Sequence, residues 1–299
     1  AGGIPVLKGL GEGAAANRIA RVAGILNGTC NYILSQMEST GADFAAVLAE
    51  AQALGYAEAD PAFDIEGVDA GHKLAILASL AFGTRIDFAA VATSGIGRIR
   101  AADIAQAAQL GYVIRLVGEA EQAGTSGALL QRVAPCLVPR GHPLAAVTGA
   151  TNAVLIEGNH VGRLLFEGRG AGDGPTASAV MADLVDIAAG RGARPFGVPV
   201  AALATAPAAD PGARASRAYL RFMVADRPGV LAEVTAAMRD AGVSIESLIQ
   251  QGRPGDGGDP VLVTMVTHDA PERAVARALA LLSGSPALAE APLALRLLA

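Results

Sequence analysis

The sequence predicts an α+β protein in two parts: a mixed sheet with covering helices over residues 1–205, and a small βαββαβ module over 218–299, joined by a linker at 206–217. Three observations predict it. Four strand-like runs, "GYVIRLVGEAE" (111–121), "ALLQRVAPCLV" (128–138), "NAVLIEG" (152–158) and "HVGRLLFEG" (160–168), follow one another with short connections. Segments with helical apolar spacing flank them. At "TAPAADPGARASR" (205–217) Pro, Ala, Gly and Ser replace periodic hydrophobics, which is the composition of a boundary.

Taken in order, residues 4–13 read as a short helix or turn and "RIARVAGIL" (18–26) as a strand. Asn27-Gly28 makes a turn before a helix beginning near Thr29. "DFAAVLAEAQAL" (43–54) has helical spacing, with Asp43 placed to cap it and Gly55 to stop it. Asp64 is the expected cap of a long helix reaching about Phe82. The four strands then form one sheet, and "GRGAGDGPT" (168–176) leads into "ASAVMADLVDIAA", a helix with apolar positions on one face. Beyond the boundary come a strand in "AYLRFMVAD", a helix in "PGVLAEVTAAMRDAG", strands in "VSIESLIQQ" and "PVLVTMVTH", a helix in "PERAVARALALLSG" and a weak strand near "LALRLL". That order is the split, ferredoxin-like βαββαβ arrangement.

Bulk properties narrow the function classes. At 299 residues and 52% hydrophobic content, two domains can each bury a core. A net charge of −5, with Lys and Arg scattered, gives no footprint for nucleic acid. The longest apolar run, "LAILASLAF" (74–82), is too short to span a bilayer, which takes about 20 helical residues. No membrane partner is expected. Cys30 and Cys136 lack metal or CxxC spacing and fit a reducing cytoplasm. His72, His142, His160 and His268 show no paired spacing for zinc and read as structural or surface residues. The opening "AGGIPVLKGL" has no initiator Met, basic n-region or apolar signal segment, and reads as an internal stretch.

The chemistry concentrates in "GYAEADPAFDIEGVDAGHK" (55–73), where Glu58, Asp60, Asp64, Glu66 and Asp69 crowd a chain with 17% charged residues. On a helix Asp69 and Lys73 share one face, one turn apart. On an arbitrary helix that spacing is an ordinary surface ion pair. Here Glu58, Asp60 and Asp64 precede it, and so many acids on a short segment call for a cation, an amine or a metal.

The pattern A-x-x-x-G-Y-x-x-x-D-P-x-x-D-I-x-G-x-D-x-x-x-K, running from Ala51 to Lys73, resembles the signature of homoserine dehydrogenase. "GGIPVLKGL" (2–10), "GILNGTCNYIL" (24–34) and "GRGAGDGPTASAVMADL" (168–184) resemble the same family in the same order, so the likeness covers roughly residues 1–205. It implies nicotinamide-dependent interconversion of L-homoserine and L-aspartate 4-semialdehyde, on the route to threonine, methionine and isoleucine. Lys73 is then the proton donor and acceptor, and Asp69 holds it. Glu58 and Asp64 contact the substrate's amino end or order the site, while Gly28, Thr29 and Tyr56 line the pocket. An α-ammonium group accounts for the acids, and the helix start after Asn27-Gly28 offers amides to the substrate carboxylate.

The glycine run 168–176 is by itself a tight strand-to-helix turn or an approach for a cofactor; the resemblance nominates Gly170 and Gly172 for NADP or NAD. It also nominates the backbone of Gly2 and Ile4 for a sodium ion. No Rossmann domain opens the chain with a first strand and its G-x-G-x-x-G/A turn, and "AGGIP" follows no strand, so the expectation is an N-terminally truncated chain, inactive alone. "FMVADRPGVLAEVTAAMRDAGVSIESL" (222–248) resembles an ACT domain, an amino-acid-binding regulatory module. That resemblance nominates Asp226, Gly229, Val230, Leu231 and Gly242 for an effector, expected to be L-threonine, and favours a homodimer or homotetramer. A purely dimerising sheet is the alternative for this module, and a non-catalytic amino-acid-binding regulator of the same descent is the alternative for the whole chain.

Overall fold

The computed structural model describes residues 2–124, 127–192, 196–251 and 260–298. Two compact units form, Ala1–Pro135 with Arg140–Ala209, and Cys136–Pro139 with Asp210–Ala299.

In the first unit α1 (Val6–Lys8) runs into a π-helical turn at Gly9–Gly13, followed by β1 (Ile19–Ile25), α2 (Gly28–Thr40), α3 (Phe44–Ala53), α4 (Ala62–Ile65) and α5 (Val68–Phe82). Then come β2 (Ala92–Thr93), α6 (Ala101–Gln109), β3 (Tyr112–Ala123), β4 (Ala128–Pro139), β5 (Thr151–Gly158), β6 (Gly162–Arg169) and α7 (Asp173–Ala188). The strand order is β6-β5-β1-β3-β4. β1 lies antiparallel between its neighbours, with Val22 opposite Ala120 on one side and Ile156 on the other. β2 adds a short parallel pairing to β4, Ala92 opposite Arg132, so the sheet is mixed as expected.

Helices α2, α5 and α6 cover this sheet, and helical spacing chooses the residues that do it. Cys30, Ile33, Leu34 and Met37 of α2 and Leu74, Leu77 and Ala78 of α5 are buried at steps of three and four. Each large side chain so buried stabilises the fold by about 1.5–3 kcal/mol. One charged cluster is buried with them: Glu119 of β3 is fully enclosed, 2.5 Å from Arg21 of β1 and 3.7 Å from Arg132 of β4.

Several expectations need correction. Asp64 does not cap the long helix; it lies inside the short α4, and α5 starts at Val68 after Gly67, whose φ of +83° breaks the chain direction. The physical cause is that left-handed glycine, which a continuous helix from 64 to 82 has no place for. Asp43 does occupy the N-cap of α3 but makes no side-chain cap bond there; its carboxylate instead accepts from the amide of Ala101 at 3.4 Å. α6 was not expected at all. Its start is fixed by the Asp103 carboxylate, which accepts from the Arg100 amide at 2.9 Å. Finally, α7 forms as expected but buries none of its residues, leaving Val180, Met181, Leu184, Val185 and Ile187 exposed.

The second unit contains β7 (Ala215–Ser216), β8 (Ala218–Val224), α8 (Val230–Asp240), β9 (Ile245–Gln251), β10 (Val261–Thr267), β11 (Ala270–Pro271), α9 (Glu272–Leu281) and β12 (Leu293–Leu297). Apart from the small β7–β11 pair, this is βαββαβ with strand order β12-β8-β10-β9. Leu220 and Phe222 of β8, Val263 of β10, Val234 of α8 and Ala278 of α9 meet in its core. The Pro- and Ala-rich stretch is hydrogen-bonded rather than free: Leu129 donates to Pro207 O at 2.9 Å, and Ala209 donates to Leu129 O at 2.8 Å.

Candidate active site

The start of α2 and the start of α5 meet beside the acidic segment, and their side chains form one network. Lys73 sits one turn into α5 and donates to Asp69 Oδ2 at 2.6 Å and to Leu26 O at 3.2 Å. An ammonium has three donors, so among the described residues two are used and one remains. About a third of the Lys73 side chain is open to solvent, against a fifth of Asp69. The pair is therefore neither a free surface bridge nor a sealed one.

Asn27, the residue just ahead of α2, joins the rest. Its Oδ1 accepts from Cys30 N at 2.8 Å and caps α2, while its Nδ2 donates to Asp64 Oδ1 at 2.7 Å and Asp69 Oδ2 at 2.8 Å. Asn27 is only 4% exposed. The Cys30 thiol donates to Asp64 O at 3.1 Å, and burial, with Asp64 and Asp69 nearby, drives its pKa far above the ordinary thiol range. Cys30 is a packed thiol and no nucleophile.

Gly28 and Thr29 open α2, and a side chain at Gly28 would come within 2.9 Å of the Ala150 carbonyl oxygen. The hydroxyl of Thr29 donates to Tyr56 O at 2.8 Å, which ties the acidic segment to α2. Tyr56 is half exposed, and its ring stacks on Tyr32 with centroids 4.5 Å apart. Gly28, Thr29, Tyr56, Asp64, Asp69 and Lys73 thus belong to one place. Glu58 stands apart: it is exposed, its carbonyl accepts from Gln52 at 3.0 Å, and its carboxylate has no hydrogen-bond partner among the described residues. His72 is a surface residue, as expected, with its ring stacked 3.8 Å from that of Phe88.

A second group gathers at the chain's opening turn. Gly3 donates to Gly170 O at 3.2 Å, and Gly2 lies beside the same carbonyl. Ile4 is buried, and its carbonyl accepts from Val6 at 2.8 Å. Gly172, with φ of +100°, sits just before α7 and borders a concavity of about 630 Å³ with Asp173, Thr176 and Val180. A larger cavity of this unit, about 830 Å³, lies between α2, α6 and the loop ending at Gly149, where Arg115 pairs with Glu38 at 2.9 Å. None of the residues singled out from the sequence lines it.

In the second unit Asp226, Gly229, Val230 and Leu231 line a pocket of about 340 Å³ together with Arg227 and Gln250. Gly229, with φ of +93°, precedes α8, so the first amides of that helix face the same region. Gly242 is not part of this lining; with φ of +74° it follows the end of α8.

Comparison with known proteins identifies the family of each part of the chain. Residues 5–185 match the family profile "Homoserine dehydrogenase". The chain belongs to the homoserine dehydrogenase family. Residues 218–280 match the ACT domain. A homoserine dehydrogenase of Mycobacterium tuberculosis is 48% identical over 280 residues, covering 92% of this chain and 64% of the relative. One from Synechocystis is 45% identical over 314 residues, covering 99% of this chain and 70% of the relative. The crystal structure of a homoserine dehydrogenase from Thiobacillus denitrificans superposes with a TM-score of 0.89 at 43% identity, covering all of this chain and 68% of that one. The chain therefore spans a little under two thirds of the length of its mycobacterial relatives. Both folds expected from the sequence, the mixed-sheet domain of the family and the ACT module, are the ones found.

The residue that sequence reasoning passed over is Asn27. It was read as half of a turn, yet its carboxamide touches both Asp64 and Asp69. The available signal was an Asn directly ahead of a helix, which marks a cap but does not reveal what the other end of the amide holds.

Proposed function

We propose that this chain carries the substrate-binding and proton-transferring part of an enzyme that interconverts L-homoserine and L-aspartate 4-semialdehyde with NADP or NAD. The observation that carries it is the Lys73 ammonium, fixed by Asp69 and Leu26 with one donor left and a third of the side chain open. That is the equipment of a general acid for a carbonyl oxygen, and of a general base in reverse. Asp69 keeps the ammonium in one rotamer. Asp64 supplies negative charge for the substrate's ammonium end, with Glu58 at the exposed margin. The amides of Gly28 and Thr29 have no acceptor inside α2 and face outward for a carboxylate. Tyr56 and Thr29 wall the site.

A nicotinamide cofactor supplies or takes the hydride when bound. Gly172 and the concavity at the start of α7 fit the close approach of such a group, whereas Gly170 is buried beside Gly3, with its carbonyl taken by the Gly3 amide, and does not line that concavity. The structure of a mutant homoserine dehydrogenase from a hyperthermophilic archaeon, related at 28% identity with a TM-score of 0.53, is of its complex with NADPH. A sodium ion at the Gly2–Ile4 turn would share the Ile4 carbonyl with the Val6 amide. In the ACT unit we assign the 340 Å³ pocket at Asp226–Leu231 to an amino-acid effector, L-threonine in the first instance, bound by its carboxylate at the start of α8. Association as a homodimer or homotetramer and a cytoplasmic location belong to the same reading.

The test is consumption of NADPH with aspartate 4-semialdehyde, measured in a protein of the relatives' full length that contains this chain. Lys73→Ala should lower kcat by about a hundredfold, the usual cost of losing a general acid. A rate within twofold of the parent would remove Lys73 from the chemistry.

A further inference from the structure

We infer that Asn27 is a positioning residue of the proposed proton transfer, clamping Asp69, the carboxylate that aims Lys73, to its neighbour Asp64. This inference rests on the function proposed above and adds a residue to its site. The geometry leaves the carboxamide a single orientation. Oδ1 faces a backbone amide, Cys30 N at 2.8 Å, and Nδ2 faces two carboxylate oxygens, Asp64 Oδ1 at 2.7 Å and Asp69 Oδ2 at 2.8 Å. A flipped amide would set oxygen against both acids and nitrogen against a donor. Both hydrogens of Nδ2 and the oxygen are therefore in use, in a side chain that is almost fully buried.

The consequence runs through one atom. Asp69 Oδ2 accepts from Asn27 and from Lys73, the latter at 2.6 Å, so the carboxylate is held from two sides. Lys73 is also bound by Leu26 O, the carbonyl adjoining Asn27 in the chain. The start of α2, the α4 turn and the start of α5 are thus locked by one carboxamide, and the third Lys73 donor points where that lock directs it. Without the Asn27 donors, Asp64 and Asp69 would be two like charges in one site with a single cation between them, free to draw Lys73 toward either.

Three replacements separate this role from ordinary helix capping. Asn27→Ser keeps an acceptor for Cys30 N and loses both donors. Asn27→Asp keeps size and cap but turns a third carboxylate oxygen toward Asp64 and Asp69. Asn27→Ala loses everything. In the full-length enzyme, Asn27→Ser and Asn27→Asp should each lower kcat by about tenfold or more, as a displaced reacting group does, with KM changed by less than about threefold. A residue that only caps α2 would leave kcat intact in the Ser variant.

An activity-free reading accompanies this one. In this chain by itself Lys8 and Lys73 are the two lysines, so selective ¹⁵N-lysine labelling of the chain gives side-chain signals of just these two groups, with Lys8 as internal reference. The Lys73 Nζ signal should shift or broaden in Asn27→Ser while that of Lys8 stays in place. Unchanged kcat together with an unmoved Lys73 signal overturns the positioning role. A moved signal with an inactive parent enzyme supports the clamp and sinks the proposed reaction instead.

Discussion

Gly28 shows how little room the site leaves for change. A methyl group there would press within 2.9 Å of the Ala150 carbonyl, a backbone atom that cannot swing aside. Gly28→Ala should therefore cost about 1–3 kcal/mol, the usual penalty of overpacking, readable as a lower midpoint in urea unfolding. His142 gives a prediction in pH. Burial holds its pKa below 6.5, Arg163 and Arg21 push the same way, and Glu157 and Glu119 oppose them. Its Nδ1 also accepts from Leu144 N at 3.2 Å, a role open only to an unprotonated nitrogen. The folded protein thus takes up this proton less readily than the unfolded chain. The associated stability is fully present above about pH 6.5 and is lost as pH falls toward the lowered folded value. His142→Gln should flatten the decline in urea midpoint between about pH 7.5 and 5.5; an unchanged slope would assign that decline to other groups. At this scale the sequence made Lys73, Asp69, Gly28 and Thr29 legible, because each stands inside a spaced motif. Asn27 was not, since its partners Asp64 and Asp69 lie about forty positions away and only folding brings them to it.

Of the two helices that carry the site, α2 is capped by the Asn27 side chain, whereas α5 starts on glycine geometry with no capping side chain. α5 begins where Gly67 turns left-handed, and Asp69 and Lys73 follow within its first two turns. An alanine at Gly67 would take on a φ of +83° and contact Val133 Cγ1 at 3.3 Å. The expected cost is about 1–2 kcal/mol for the backbone alone, with lower kcat because the start of α5 must shift. Loss of stability without any change in kcat would show that α5 holds its place independently of the glycine that precedes it. Gly67 also explains why Asp64 misled as a helix cap: in sequence, an acid ahead of an apolar period looks like a start whether or not a turn intervenes. α6 escaped notice for a different reason. It is an Ala-rich segment of nine residues, and its binding to the sheet through Ile104 and Ala107 is a tertiary preference that local pattern barely records.

Across the whole molecule, the order of motifs was the strongest signal. Four strands close in sequence could hardly avoid a common sheet, and the βαββαβ alternation of the last part named its own topology. The effector prediction belongs here. Titrating L-threonine into the whole chain by calorimetry should give saturable heat that Asp226→Ala or Leu231→Ala weakens by about tenfold, the scale of one lost contact in a small pocket. Equal heat from the parent and both variants would place the ligand elsewhere. A last consequence follows from the Tyr32–Tyr56 stack. The sequence contains no tryptophan, so the ultraviolet emission of the chain excited in the tyrosine band comes from tyrosine. Of these rings Tyr56 is 47% exposed and rests 4.5 Å from Tyr32 at the rim of the Lys73 site. Any molecule that settles against Tyr56 changes the quenching of this pair, which gives the protein a built-in optical gauge of occupancy needing neither label nor turnover.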